Sequence, residues 1–118
     1  MEIRPHRRLD VWKKAMDLVK EIYKITESFP KSENFGIISQ MRRASLSIPS
    51  NLAEGAARKG NKEFKQFLNI AQGSISELDT HIELAHMLNY IDKNTYVNLV
   101  ENLNTISKML FGLSKSLK

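Results

Sequence analysis

Cysteine is absent from this chain of 118 residues. That excludes disulfides, thiolate zinc sites and a cysteine nucleophile, and it fits a reducing, cytoplasmic setting. No apolar run approaches the roughly 18–20 residues that a membrane span needs, so no membrane partner is expected. The opening residues, MEIRPHRRLDVW, are basic but lead into no apolar segment, so no secretion signal is expected. No alternating apolar run bounded by turn residues reads as a strand hairpin. There is no Gly-x-x-x-x-Gly-Lys phosphate loop and no Gly-x-Gly-x-x-Gly fingerprint. No serine sits in a strand–turn–helix elbow. Catalytic residues and cofactors are therefore expected to be none, and the chain does not read as an enzyme.

Metal chemistry is also poorly provided for. Helical bundles can hold two metals with paired Glu-x-x-His segments and further glutamates. Here Glu83 and His86 form one such pair, the second helical segment offers only Glu54 beyond Glu33 at its very start, the fourth offers only Glu101, and the ligand count fails. His81, four residues after Glu77, flanks an apolar stripe and is expected to be partly buried and hydrogen-bonded. His86 is expected to be exposed.

What the chain does have is helical periodicity. The first segment, about Asp10 to Ser28, places Val11, Ala15, Leu18, Ile22 and Ile25 on one stripe. Asp10 is the expected N-cap, and Phe29-Pro30 closes the segment. The second runs from Ser32 or Glu33 to Arg58, with Ser32 able to cap it. Phe35, Ile38, Met41, Ser45, Ile48 and Leu52 form its inward stripe, and Gly60 and Asn61 suit a left-handed C-cap. The third, about Asn61 to Tyr90, carries Phe64, Leu68, Ala71, Ile75, Leu78, Ile82 and Ala85. Its small residues Gly73, Ser74 and Ser76 suggest a close helix crossing. The fourth, Lys93 to Ser116 with Asp92 as N-cap, carries Leu99, Leu103, Ile106, Leu110, Leu113 and Leu117.

Short connections make consecutive helices antiparallel neighbours. The predicted fold is all-α, an antiparallel up-down-up-down four-helix bundle in one domain over residues 1–118, residues 1–9 being a basic tail. Apolar residues exceed one stripe per helix: Trp12, Met16, Val19 and Tyr23, then Phe67, Leu88, Val100 and Phe111. A second apolar surface points to self-association or another partner.

Two groups of polar residues remain. Gln40, Arg43, Ser47, Asn51, Glu54 and Arg58 recur every three or four residues along the second helix, around a proline, Pro49, that costs about 3 kcal/mol in a helix interior. This polar stripe reads as a buried network fixing register or an interface, or as a contact for a ligand or nucleic acid. The other group is basic. The chain carries a net charge of +5, with 14 Lys/Arg against 8 Asp/Glu in residues 1–65 and 4 against 5 in the remainder. Arg7, Arg8, Lys13 and Lys14 lie at the start of the first helix; Arg58, Lys59, Lys62 and Lys65 lie at the turn between the second and third. An up-down bundle brings both clusters to one end. They are the expected nucleic-acid-binding residues, suited to phosphates rather than bases, since no zinc finger, RNP motif or helix-turn-helix spacing is present.

The segment Gln40 to Gly55, QMRRASLSIPSNLAEG, also carries a resemblance. With Trp12, Ala15, Met16, Tyr23, Thr26 to Pro30, Glu33-Asn34-Phe35-Gly36, Phe64, Phe67, Leu68, Ala71, Gly73-Ser74 and Glu77-Leu78, it resembles the four-helix-bundle proteins encoded by intervening sequences in bacterial 23S ribosomal RNA genes, often labelled S23 ribosomal-like. The likeness extends over about residues 9–113. That family is similar to the accessory variability determinant of diversity-generating retroelements, a pentameric barrel of bundles that binds nucleic acid and a reverse transcriptase. The resemblance implies a homopentamer with a basic face toward nucleic acid, RNA foremost, and no catalytic residues. Two other functions fit the same sequence: an adaptor that binds another protein, and a small-ligand-binding bundle using Gln40, Arg43, Asn51 and Glu54 beside Pro49.

Overall fold

The apolar stripes become four helices in the computed structural model, which describes residues 3–117. Helix α1 spans Asp10–Thr26, α2 Ile37–Ala56, α3 Asn61–Met87 and α4 Lys93–Ser116; single 3-10 turns at Pro5–Arg8 and Lys31–Glu33 precede α1 and α2. There is no strand among the described residues. Helix α2 packs on α1 and α3, α4 packs on α3 and α1, and the N-terminal turn lies against α2. The contact pairs Ser47–Ser74 and Gln72–Ser107 fix the antiparallel register of α2 with α3 and of α3 with α4. The bundle measures 43 × 27 × 21 Å.

Residues spaced three and four apart supply its centre. Ile22, Met41, Ile48, Leu52, Leu78, Ile82 and Leu99 are fully buried, each contributing roughly 1.5–3 kcal/mol by leaving water. Ser45 lies in this core without cost, because its hydroxyl donates to the Arg42 carbonyl oxygen at 2.9 Å.

Helix α2 runs unbroken through Pro49, which is buried. Proline has no N–H to give the Ser45 carbonyl, the acceptor four residues back, so tertiary packing of its neighbours Ile48 and Leu52 carries this turn. A close crossing does occur, but not at Gly73, where an added Cβ would meet nothing within 4 Å. It occurs at Gly55, where a Cβ would lie 2.8 Å from Phe67 Cβ. Of the small residues of α3, Gly73 does not mark a crossing, whereas Ser74 is buried and meets Ser47 of α2 at 2.7 Å.

Several expected boundaries shift. Asp10 is the first helical residue rather than the cap; Leu9 takes the cap position and no side chain bonds there. Helix α1 stops at Thr26, short of Ser28. Helix α2 begins at Ile37, because Gly36 adopts φ −110°, ψ −119°, outside any helical region. Ser32 is left in a separate 3-10 turn without capping. Phe35, expected inward, is 99% exposed; Ile37 takes its place in the core. Helix α2 ends at Ala56, two residues before Arg58, and Gly60 has φ −110°, serving as the start of α3 rather than a left-handed C-cap. Helix α3 ends at Met87. There Asn89 is left-handed at φ 61°. Tyr90 N–H donates to the Ala85 carbonyl at 2.9 Å and Asn89 N–H to that of His86 at 3.0 Å, a Schellman closure. Asp92 caps α4 as expected, accepting from Thr95 N–H at 2.8 Å.

Candidate nucleic-acid interface and the polar seam

The polar stripe of α2 meets a matching stripe on α3. Asn51 Nδ2 donates to the Ser47 carbonyl at 2.8 Å and to Ser47 Oγ at 3.0 Å. Ser47 Oγ stands 2.7 Å from Ser74 Oγ, and Ser74 Oγ donates to the Ile70 carbonyl at 3.2 Å. Only one proton order satisfies every group: Asn51 to Ser47, Ser47 to Ser74, Ser74 to Ile70. The chain of donors thus ties two helices together with no hydroxyl left over.

Further along the seam, Arg43 donates to Gln40 Oε1 at 2.9 Å and pairs with Glu77. Glu77 Oε2 also lies 3.7 Å from His81 Nε2. The other imidazole nitrogen, Nδ1, is buried and meets no hydrogen-bond partner among the described residues. Burial, foremost, holds the His81 pKa below its ordinary value; the Glu77 carboxylate opposes this and Arg43 adds to it. His81 is partly buried as expected, but it is not hydrogen-bonded as expected: Nε2 stands too far from Glu77 for a hydrogen bond, and Nδ1 has no partner among the described residues. At the opposite end Arg58 lies 3.7 Å from Glu54, 3.9 Å from Glu63 and 5.0 Å above the Phe67 ring.

The sequence pointed to the α2 half of this seam. It did not reveal the α3 half, although Ile70, Ser74, Glu77 and His81 step by four, three and four on one face. His86, expected exposed, is half-buried because its ring stacks on Tyr96 with centroids 4.2 Å apart. Glu83, its partner in the Glu-x-x-His pair, accepts the Tyr96 hydroxyl at 2.6 Å.

The basic residues are distributed as follows. Arg58, Lys59 and Lys62 line one cleft of about 530 Å³ at the α2–α3 turn, with Glu63 beside them. Lys65, one turn further along α3, is half-buried. Arg7 lies 5.5 Å from the Trp12 ring centroid; its 3-10 turn, which also holds exposed Arg8, packs on α2. Lys13 is exposed. Lys14 does not share the turn cleft: it lines a groove of about 190 Å³ between α1 and α4 together with Asp17 and Glu21. Arg42 is spent inside the fold, its Nε donating to Thr26 Oγ1 at 2.9 Å.

An antiparallel four-helix bundle with a hydrogen-bonded seam across α2 and α3 and a cationic turn at one end is the class of protein these features define. Within that class the chain belongs to the 23S rRNA-intervening sequence protein family, whose model matches residues 7–112. It is similar to a crystal structure of a protein of unknown function from the S23 ribosomal protein family of Bacteroides thetaiotaomicron VPI-5482, with 25% identity and a TM-score of 0.79, over 89% of this chain and 98% of that one. A search of curated proteins gives no match.

Proposed function

We propose that this chain is a non-enzymatic, self-associating cytoplasmic bundle that binds structured RNA or DNA through phosphate contacts. The observation that carries the proposal is the cleft lined by Arg58, Lys59 and Lys62, set in the half of the chain where Lys and Arg outnumber Asp and Glu by 14 to 8. Phosphate contacts supply sequence-independent affinity and release counterions. The seam residues are engaged in two separate groups, exposed Arg43 with Gln40 and Glu77, half-buried Asn51 with Ser47 and Ser74, so they act as structure in this function. Self-association draws on the apolar side chains beyond the core stripes; a pentamer is the assembly that the family likeness suggests.

Fluorescence anisotropy with a labelled RNA hairpin across a salt series tests the binding. Affinity is expected to fall steeply as salt rises, with a log–log slope of about −0.9 per phosphate neutralised. Lys59→Glu with Lys62→Glu should weaken all sequences alike and flatten that slope. Absence of binding at low salt, or binding indifferent to salt, would remove the proposal. Capture of a protein partner that survives nuclease treatment, with no RNA bound, would favour the adaptor instead.

A further inference from the structure

The carboxylate side chains of residues 66–118 all lie between Glu77 and Glu101, so the near-neutral balance of 4 Lys/Arg against 5 Asp/Glu conceals a cationic end. Residues 64–76 and residues 102–118 contain no Asp or Glu, and their cations include Lys65, Lys108 and Lys115. The two stretches lie side by side. Gln72 Nε2 donates to the Ser107 carbonyl at 2.9 Å, and Ser107 Oγ donates to Gln72 Oε1 at 2.8 Å. Because α3 and α4 run antiparallel, the end of α4 lies beside the start of α3, at the same end of the bundle as the cleft lined by Arg58, Lys59 and Lys62.

An aromatic ring stands among these cations. Lys65 precedes Gln72 by seven residues and Phe111 follows Ser107 by four, so both continue the helix faces that meet there. Phe111 is 63% exposed. Lys115 Nζ lies 5.6 Å from its ring centroid. Lys108 sits three residues before it on the same helix, and both lysines are exposed. The other Trp and Phe side chains of this end, Trp12, Phe64 and Phe67, are half-buried. Phe64 packs on the core and Phe67 lies under the Arg58 guanidinium, which leaves Phe111 as the open ring.

The geometry points to Phe111 as a platform on which an unpaired base stacks, with Lys65, Lys108 and Lys115 holding the phosphates around it. This rests on the nucleic-acid binding proposed above. It goes further by naming the part of the nucleic acid taken, a single-stranded stretch such as a hairpin loop, and by assigning Phe111 to that ligand rather than to self-association. Bases inside a duplex are stacked on one another and show only their edges, whereas an unpaired base has a free face. Every base has such a face, so the contact needs no particular sequence. An apolar protein surface seated on Phe111 would take water from the lysines without offering them a charge. A strand brings a phosphate with every base.

Fluorescence anisotropy at low salt tests the inference with three labelled probes of equal length: oligouridylate, an abasic strand and a duplex. The wild type is expected to bind oligouridylate more tightly than the abasic strand, which keeps the phosphates but offers no base. Phe111→Ala and Phe111→Leu should each weaken oligouridylate binding by about 5- to 100-fold, the size of one lost base stack. Both should leave the abasic strand and the duplex unchanged, and Phe111→Trp should keep the tight binding. Leucine retains the apolar bulk, so its loss reports the aromatic face; circular dichroism and light scattering check that each variant keeps the fold and the mass of the wild type. A wild type that binds both single strands alike, a leucine variant that binds oligouridylate as the wild type does, or a variant whose assembly mass falls overturns the stacking role while phosphate binding stands. Absence of any binding at low salt removes the nucleic-acid reading itself.

Discussion

A Cβ built on Gly55 falls 2.8 Å from Phe67 Cβ and 2.9 Å from Phe64 Cδ1. Phe67 Cβ is anchored to the α3 backbone, so the clash cannot be relieved by swinging a side-chain tip; the two helices would have to part. Alanine is the better helix former by about 1 kcal/mol, yet Gly55→Ala is expected to destabilise by about 1–3 kcal/mol through overpacking. Gly73→Ala is the control: its Cβ meets nothing within 4 Å, so the same substitution should stabilise by about 0.5–1 kcal/mol. Urea midpoints that move in opposite directions bear out the crossing; a Gly55→Ala protein as stable as the wild type contradicts it.

Ser47 and Ser74 should behave as one unit. Removing either hydroxyl interrupts a donor chain that runs from Asn51 to the Ile70 carbonyl. Each single Ser→Ala variant is expected to cost about 1–2 kcal/mol, and the pair to show a coupling of about 0.5–1.5 kcal/mol in a double-mutant cycle. Strict additivity would mean that the two hydroxyls do not exchange a hydrogen bond in solution.

The apolar stripes could be read in the sequence because burial repeats with the helix period, and every stripe residue named for α1, α3 and α4 lies in the core or against it. The start of α2 could not. It hinges on the backbone angles of Gly36, and the run Phe35-Gly36-Ile37 offers two apolar residues either of which could have opened the helix. The end of α3 held a readable signal, Asn89 at a C′ position, but unbroken periodicity through Leu88 masked it. Half of the seam was visible because α2 repeats polar residues around a proline. The other half was hidden because Ser74, Glu77 and His81 are chemically unlike and line up only once α3 lies alongside α2.

His81 makes stability depend on pH. Burial favours its neutral form and holds the folded-state pKa below the ordinary 6.5. Below 6.5 the unfolded chain therefore takes up the proton more readily than the folded one, and stability falls as pH drops through that value, the loss being complete once pH is under the folded pKa. His81→Gln, which cannot titrate, should have a shallower decline between neutral and mildly acidic pH. Urea denaturation of both proteins at several pH values makes the comparison, and parallel curves would mean that His81 is solvated like an unfolded histidine.

Arg42 closes the C-terminal end of α1 from the neighbouring helix. Its Nε donates to Thr26 Oγ1 at 2.9 Å and its Nη2 to the Tyr23 carbonyl at 3.3 Å, while its guanidinium lies 4.6 Å from the Tyr23 ring centroid. Thr26 is buried, and its hydroxyl in turn donates to the Ile22 carbonyl at 2.7 Å. A cation here also suits the negative end of the helix dipole. Arg42→Ala is expected to cost about 1–2 kcal/mol, from the lost hydrogen bonds and the lost ring contact together. Arg42→Lys keeps the charge but not the planar fork, so it should recover only part of that loss. Full recovery by lysine would show that charge alone holds the end of α1; recovery of less than half would assign the effect to the two directed hydrogen bonds.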